Sequence, residues 1–256
     1  MPEARANSGD DLWERVAGWW QENFTDGADP EYEEQILPLA IEAAGDAPRV
    51  LEVGTGEGQV ARVLAAALPG RDVVGVDLSW AQITEAAKRG QGPRYARSSA
   101  DGLPFADGSF DAVVACLVFE HIDAVDEAVA EVGRVLAPGG RFVFFLNHPL
   151  LQTPGSGWID DQILDPPEQY WRIGPYLTEA ETLEQVDAEV VLPFVHRPLG
   201  RYVNALAARG LLVTHMDEPA PPAGFLAQAP EYAGAASIPR LLVLVARRSR
   251  GTPGRA

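Results

Sequence analysis

The residue types and spacing that point to chemistry are Glu52, Gly54, Gly56, Gly58 and Asp77. They lie in two runs, Val50-Leu51-Glu52-Val53-Gly54-Thr55-Gly56-Glu57-Gly58-Gln59 and Val73-Val74-Gly75-Val76-Asp77. An apolar strand entering a glycine turn, then a second strand ending in a carboxylate, is how an open α/β sheet holds an adenosine. The glycines let backbone approach the ligand, and an acidic side chain about 20 residues on accepts hydrogen bonds from ribose hydroxyls. A dinucleotide site favours G-x-G-x-x-G, with the pyrophosphate on the following helix N-terminus. Here the glycines run G-x-G-x-G, position 59 is Gln59, and Glu52 stands two residues before the first glycine. A carboxylate there repels a pyrophosphate. It suits a cationic sulfonium ligand that also carries an ammonium.

The elements needed to hold these residues can be read from periodicity. Apolar residues at mostly helical spacing predict a helix over 10–24 (Leu12, Val16, Trp19, Trp20, Phe24) and a second over 31–44 despite Pro38. Strand one follows at 49–53, a helix at 59–67, strand two at 72–77, a helix at 80–89 and a short third strand at 94–96. A fourth strand is expected at 110–117, a helix at 124–136, and a fifth strand at 141–146 after the Pro138-Gly139-Gly140 turn. Strands alternating with helices imply a doubly wound, mostly parallel sheet. Residues 150–190 break the pattern, being too aromatic for a linker and too rich in proline for a regular element. This stretch reads as a lid or substrate wall. A strand at 189–195, a helix at 199–209 and strands at 211–216 and 241–246 complete the chain, the last two forming an antiparallel hairpin at the sheet edge.

Further segments agree in order and spacing with one family. Glu52-x-Gly54-x-Gly56-x-Gly58, Asp77, Ala100-Asp101-Gly102-Leu103-Pro104-Phe105, Ser109-Phe110-Asp111-Ala112-Val113-Val114-Ala115-Cys116 and Arg134-Val135-Leu136-Ala137-Pro138-Gly139-Gly140 together resemble the motifs of class I S-adenosylmethionine-dependent methyltransferases. The resemblance is strong over 45–148 and weaker beyond. It implies a seven-stranded Rossmann-like α/β sheet of order 3-2-1-4-5-7-6, with strand seven antiparallel. The implied organisation is an N-terminal helical cap over 1–45 and a methyltransferase domain over 46–256, with a lid-like insertion at 150–196. Glu52, Gly54, Thr55, Gly56, Gly58, Asp77, Leu78, Asp101, Gly102, Leu103 and Cys116 would then hold S-adenosylmethionine, and its product S-adenosylhomocysteine. Asp101 would take the adenine amino group, with the next backbone amides meeting the ring. Two other readings stand beside this one: a nicotinamide-dependent oxidoreductase, supported by the glycine turn and Asp77, and a non-catalytic module that binds the same cofactor.

Methyl transfer is an in-line displacement, so the chain must chiefly align an acceptor and exclude water. A base is needed only where the acceptor loses a proton. The pocket is expected at the carboxyl ends of strands four and five, near Cys116, Leu117, Phe119, Glu120, His121, Asn147 and His148. His148 is open to a base or orienting role and to a plain loop hydrogen bond, and His196 to a pocket wall or a surface loop. For His121, packing at a helix entry is favoured over catalysis. Trp19, Trp20, Phe24 and Tyr32 read as core before ligand contact. Asn147 at the end of strand five, and Trp158, Tyr170, Trp171 and Tyr176 in the insertion, are candidate acceptor contacts; for the four aromatics a satellite core or dimer contact is the alternative. No metal site is expected, Asp160, Asp161 and Asp165 reading as solvated loop residues.

Composition bounds the partners. The 256 residues are 46% hydrophobic, enough for one full domain with an elaboration. Cys116 is the only cysteine, which argues for a reducing compartment and against disulfide, zinc or iron–sulfur frameworks. A net charge of −17 disfavours nucleic acid, and no apolar run is long enough for a membrane span. A cytoplasmic enzyme of a small-molecule acceptor is the expectation.

Overall fold

The structure, a computed structural model, describes residues 9–188 and 190–250. Its strands are β1 (Arg49–Val53), β2 (Asp72–Asp77), β3 (Arg94–Arg97), β4 (Phe110–Cys116), β5 (Leu136–Asn147), β6 (Gly157–Asp161), β7 (Glu168–Arg172), β8 (Ala180–Asp187), β9 (Val190–His196), β10 (Leu211–Asp217) and β11 (Leu241–Arg248). The helices are α1 (Gly9–Phe24), α2 (Leu37–Ala44), α3 (Gln59–Ala67), α4 (Trp80–Arg89), α5 (Val125–Val135), α6 (Leu199–Ala208) and α7 (Ala223–Gln228). None of the described helices is long and apolar enough to cross a membrane.

Seven strands form one sheet in the order β3-β2-β1-β4-β5-β11-β10. β1 lies parallel to β2 and β4, whereas β11 runs antiparallel to both β5 and β10. This is the order and the one reversed strand that the motifs imply. Both faces are apolar because side chains alternate along each strand. Leu51, Val53, Val74, Val76, Val113, Ala115, Phe142 and Phe144 pack on one face under α5 and α6. Val50, Val73, Ala112, Val114, Val143 and Phe145 pack on the other under α2 and α3. A sheet clamped on both faces holds the ends of β1, β2 and β4 rigidly, and these ends carry Glu52, Asp77 and Cys116.

Three local expectations need correction. The helix over 31–44 divides into a π-helical turn, Tyr32–Ile36, and α2, with Pro38 in the first turn of α2, where its missing N–H costs nothing. Pro138-Gly139-Gly140 lies inside β5, where the pairing with β4 shifts register between Phe110 and Ala112. The insertion is regular: β6 pairs with β7 and β8 with β9 in two antiparallel hairpins, neither of which joins the main sheet. The strand expected over 189–195 is thus the second half of a hairpin, and position 189 lies outside the described residues. So do residues 1–8 of the N-terminal cap and the last six residues.

Candidate active site

A cavity of about 330 Å³ opens at the carboxyl ends of β1, β2 and β4. Its first wall is the glycine turn. Gly54 has φ +72°, and a Cβ there would sit 2.2 Å from a Val118 methyl, so the turn is closed to any larger residue. Gly56 has φ +54°, and a Cβ on it would meet nothing within 4 Å, so its backbone faces open space. Asp77 is held across this turn: the Gly56 N–H donates to Oδ2 at 2.9 Å and the Ser79 N–H to Oδ1 at 2.8 Å. Burial pushes the Asp77 carboxyl above its usual range, against the pull of these N–H groups. Each oxygen keeps a lone pair for a further donor.

Glu52 is buried behind the turn, where the Thr55 hydroxyl donates to its Oε2 at 2.6 Å. Burial raises its pKa to about 8, with the nearby Glu57 and Asp77 adding to the effect. Glu57, also on the cavity wall, is paired with Arg62 at 2.7 Å and Arg89 at 2.9 Å. Ser98, Ser99, Ala100 and Asp101 line the adjoining wall, and the Ser99 hydroxyl donates to an Asp101 oxygen. The loop behind them is fastened by Arg134, which donates to Glu131, Asp107 and the carbonyls of Leu103 and Phe105.

Glu52, Gly54, Thr55, Gly56, Asp77, Leu78, Asp101 and Cys116 therefore share one cavity. Gly58 does not line it; at φ +87° it caps α3. Gly102 and Leu103 also lie outside, and their amides, expected at an adenine ring, are engaged. The Leu103 N–H donates to Glu131 Oε2 at 2.8 Å and the Gly102 N–H to the Ser99 carbonyl at 3.4 Å. Cys116 is a wall, not a nucleophile, since burial raises its thiol pKa far above normal.

The histidines divide. His148 lies outside the cavity; its Nε2 pairs with Glu218 at 2.8 Å and its Nδ1 accepts from the Leu150 N–H at 3.2 Å, a loop staple. His196 is buried beneath the insertion, its Nε2 paired with the Tyr176 carbonyl at 2.8 Å. Asn147 is turned to Glu120, donating from its backbone and side-chain amides to Oε1 at 3.1 and 2.9 Å. Trp158, Tyr170 and Trp171 are likewise absent from the cavity wall. Trp158 stands opposite Trp171 in the β6–β7 hairpin and packs against Gly234. His121 does line the cavity. Its Nδ1 pairs with the Pro193 carbonyl at 2.6 Å, and burial lowers its pKa to about 4.

The roof is α1. Trp13, Trp20 and Phe24 line the cavity together with Tyr32. Glu14 accepts from the Ser79 hydroxyl at 2.8 Å and the Ala81 N–H at 3.1 Å, and Gln21 donates to Gln82 at 2.8 Å, so α1 is tied to the start of α4. On its other side Val16 packs against Val190, Leu192 and Phe194 of β9, and Trp19 Nε1 donates to Asp187 at 2.8 Å. Sequence reasoning missed Trp13, Ser79, Val118 and Asp123 as wall residues. The interval of seven between Trp13 and Trp20, which sets both on one helix face, was the available signal for the first.

Residues 51–144 match the family model described as "Methyltransferase domain". The demethylmenaquinone methyltransferase of Thermus thermophilus is 38% identical over 121 residues, 46% of this chain and 54% of the relative. The ubiquinone/menaquinone biosynthesis C-methyltransferase UbiE of Desulfotalea psychrophila is 40% identical over 109 residues, 41% of this chain and 44% of the relative. The chain thus matches about half the length of these curated relatives. A solved S-adenosylmethionine-dependent methyltransferase from Mesorhizobium loti superposes with a TM-score of 0.72 at 29% identity, over 87% of this chain and 99% of that one. With the sheet order, the glycine turn and Asp77 in one cavity, these matches support a class I S-adenosylmethionine-dependent methyltransferase.

Proposed function

We propose that this protein binds S-adenosylmethionine in the β1–β2–β4 cavity and catalyses transfer of its methyl group to a small-molecule acceptor. One observation carries the reading: Asp77 is pre-aimed by the N–H groups of Gly56 and Ser79 at the mouth of a cavity whose wall, among the described residues, holds no Lys or Arg. A pyrophosphate would lack a counter-charge there, whereas a sulfonium meets carboxylates. When bound, S-adenosylmethionine supplies an electrophilic methyl group on a positively charged sulfur. The chain's own part is to bind and to exclude water. Asp77 accepts from ribose hydroxyls, Gly56 leaves room for close backbone approach, and Asp101 offers a carboxylate to an adenine amino group. Glu52 sits where an ammonium or sulfonium would favour its charged form. The aromatic residues of α1 cover the cavity and keep water from the reacting carbon. The quinone methyltransferases among the relatives support a small organic acceptor.

Calorimetric titration tests the reading directly. S-adenosylhomocysteine is expected to bind with a defined stoichiometry of one and NAD not to bind. The reverse preference would return the site to dinucleotide chemistry, and methyl incorporation from labelled donor would then separate an enzyme from a binding module.

A further inference from the structure

The acceptor end of the cavity differs chemically from the donor end. An unbroken row of rings crosses it: Phe24 stacks on Trp20 at 4.3 Å, Trp20 meets Trp13 at 6.1 Å, Trp13 meets His121 at 4.8 Å, and His121 meets Phe194 at 4.5 Å. Leu117, Val118 and Ile122 add apolar surface. Leu117 holds φ +54° without being glycine, a local strain of the kind that persists where surrounding structure fixes a site. The charged wall residues are carboxylates, Asp123 among them, and no cation lines the cavity among the described residues.

His121 brings the one nitrogen base into this surface. A carbonyl oxygen only accepts, so the 2.6 Å contact with Pro193 fixes the proton on Nδ1. In the neutral ring Nε2 is then an acceptor, and no described group donates to it. The depressed pKa of about 4 keeps the ring neutral near pH 7.

We infer that the acceptor is a flat molecule without negative charge, bearing a hydroxyl group, which lies against the Trp13–Trp20 surface and donates its O–H to His121 Nε2. The inference rests on the donor reading above and extends it to the acceptor. An anionic acceptor would be desolvated among carboxylates without a counter-ion, at high cost. A flat ring is matched by the aromatic roof. A hydroxyl fits an acceptor nitrogen such as Nε2, since it donates its O–H there and must shed that proton when its oxygen gains a methyl group. As the oxygen–carbon bond forms, the carbon–sulfur bond breaks with its electron pair left on sulfur, and the O–H proton passes to Nε2. The sulfonium's positive charge thus reappears on the imidazolium, which at its low pKa yields the proton to water. Pro193 acts as a positioning residue through its carbonyl, so the β8–β9 hairpin serves the site by setting a tautomer.

The test uses the full chain loaded with S-adenosylhomocysteine and three calorimetric probes: 2-naphthol, 2-methoxynaphthalene and 2-naphthoate. Binding of S-adenosylhomocysteine is measured first, so failure of the donor reading is seen separately. The expected result is 2-naphthol binding about tenfold or more tightly than each of the other two, the scale of one lost hydrogen bond or one uncompensated negative charge. In His121→Phe, which keeps a ring against Trp13 and Phe194, the preference for 2-naphthol over 2-methoxynaphthalene should vanish while 2-methoxynaphthalene still binds. Nitrogen-15 NMR of the wild-type histidines, which needs no variant, should show His121 protonated on Nδ1 and unprotonated on Nε2. Equal or tighter binding of 2-naphthoate, no binding by any probe, an unchanged preference in a folded His121→Phe, or a protonated Nε2 would overturn the inference.

Discussion

The donor half and the roof of the cavity are built on opposite plans. The donor half is a set of strand ends: Glu52, Asp77 and Cys116 stand on β1, β2 and β4, each hydrogen-bonded to neighbours and buried on both faces. The roof is assembled from pieces far apart in the chain, α1, the turn bearing His121, and β9, joined by a small apolar cluster and single hydrogen bonds such as Trp19 to Asp187. The first inherits its precision from the core. The second is only as precise as its docking. A sheet end suits a ligand that never changes, and a docked roof suits the half of the site that must admit and release different molecules.

Substitutions should expose this contrast. Phe144→Ala, in the fully buried centre of the sheet, is expected to lower folding stability by about 3–5 kcal/mol in denaturant unfolding. Gly54→Ala forces a Cβ into Val118 and a positive φ, so about 2–4 kcal/mol of stability should be lost, together with donor binding in calorimetry. Asp77→Ala should leave the fold in place and weaken S-adenosylhomocysteine by about 1–3 kcal/mol; an unchanged affinity would break the assignment of β2 as the ribose strand. Trp19→Phe removes one exposed hydrogen bond between roof and hairpin and should lower the melting temperature only slightly in thermal unfolding, with donor affinity preserved. Ile163→Ser, at the exposed tip of the β6–β7 hairpin, should change stability by less than about 0.5 kcal/mol.

Glu52 adds a pH test to the donor side. Its folded pKa, about 8, lies above the ordinary value of 4.5, so between these limits the folded state binds more protons than the unfolded one. Stability of the ligand-free protein should therefore fall as pH rises from about 4.5 to about 8, and Glu52→Gln should flatten that slope. Because a cationic donor favours the carboxylate, binding of S-adenosylmethionine near pH 7 should release a proton, read as a dependence of the titration heat on buffer ionisation enthalpy.

The difference between the halves also explains what was legible in the sequence. Glu52, Gly54, Gly56 and Asp77 are found because strand, turn and strand are local patterns, and burial on both faces turns them into continuous apolar runs. The reversed β11 followed from the order of the motifs. The roof left weaker traces. His121 owes its tautomer to the carbonyl of Pro193, which any residue could supply, and the conformation of Leu117 has no signature in its side chain. The aromatic richness of 150–190 drew attention to Trp158, Tyr170 and Trp171, yet these residues build hairpins beside the site, while Trp13 in α1 reaches the cavity. Spacing within an element is written in the sequence; the docking of one element on another is written only in the fold.

Glu14 gives the roof a kinetic meaning. It fastens α1 to Ser79, the residue whose backbone N–H also steadies Asp77, and to Ala81 beside it. On the proposed function, the same loop carries the grip on the donor ribose and the latch of the cover. Exchange of a spent donor for a fresh one must loosen both together, so the rate at which this latch opens sets an upper bound on turnover however fast the methyl group moves.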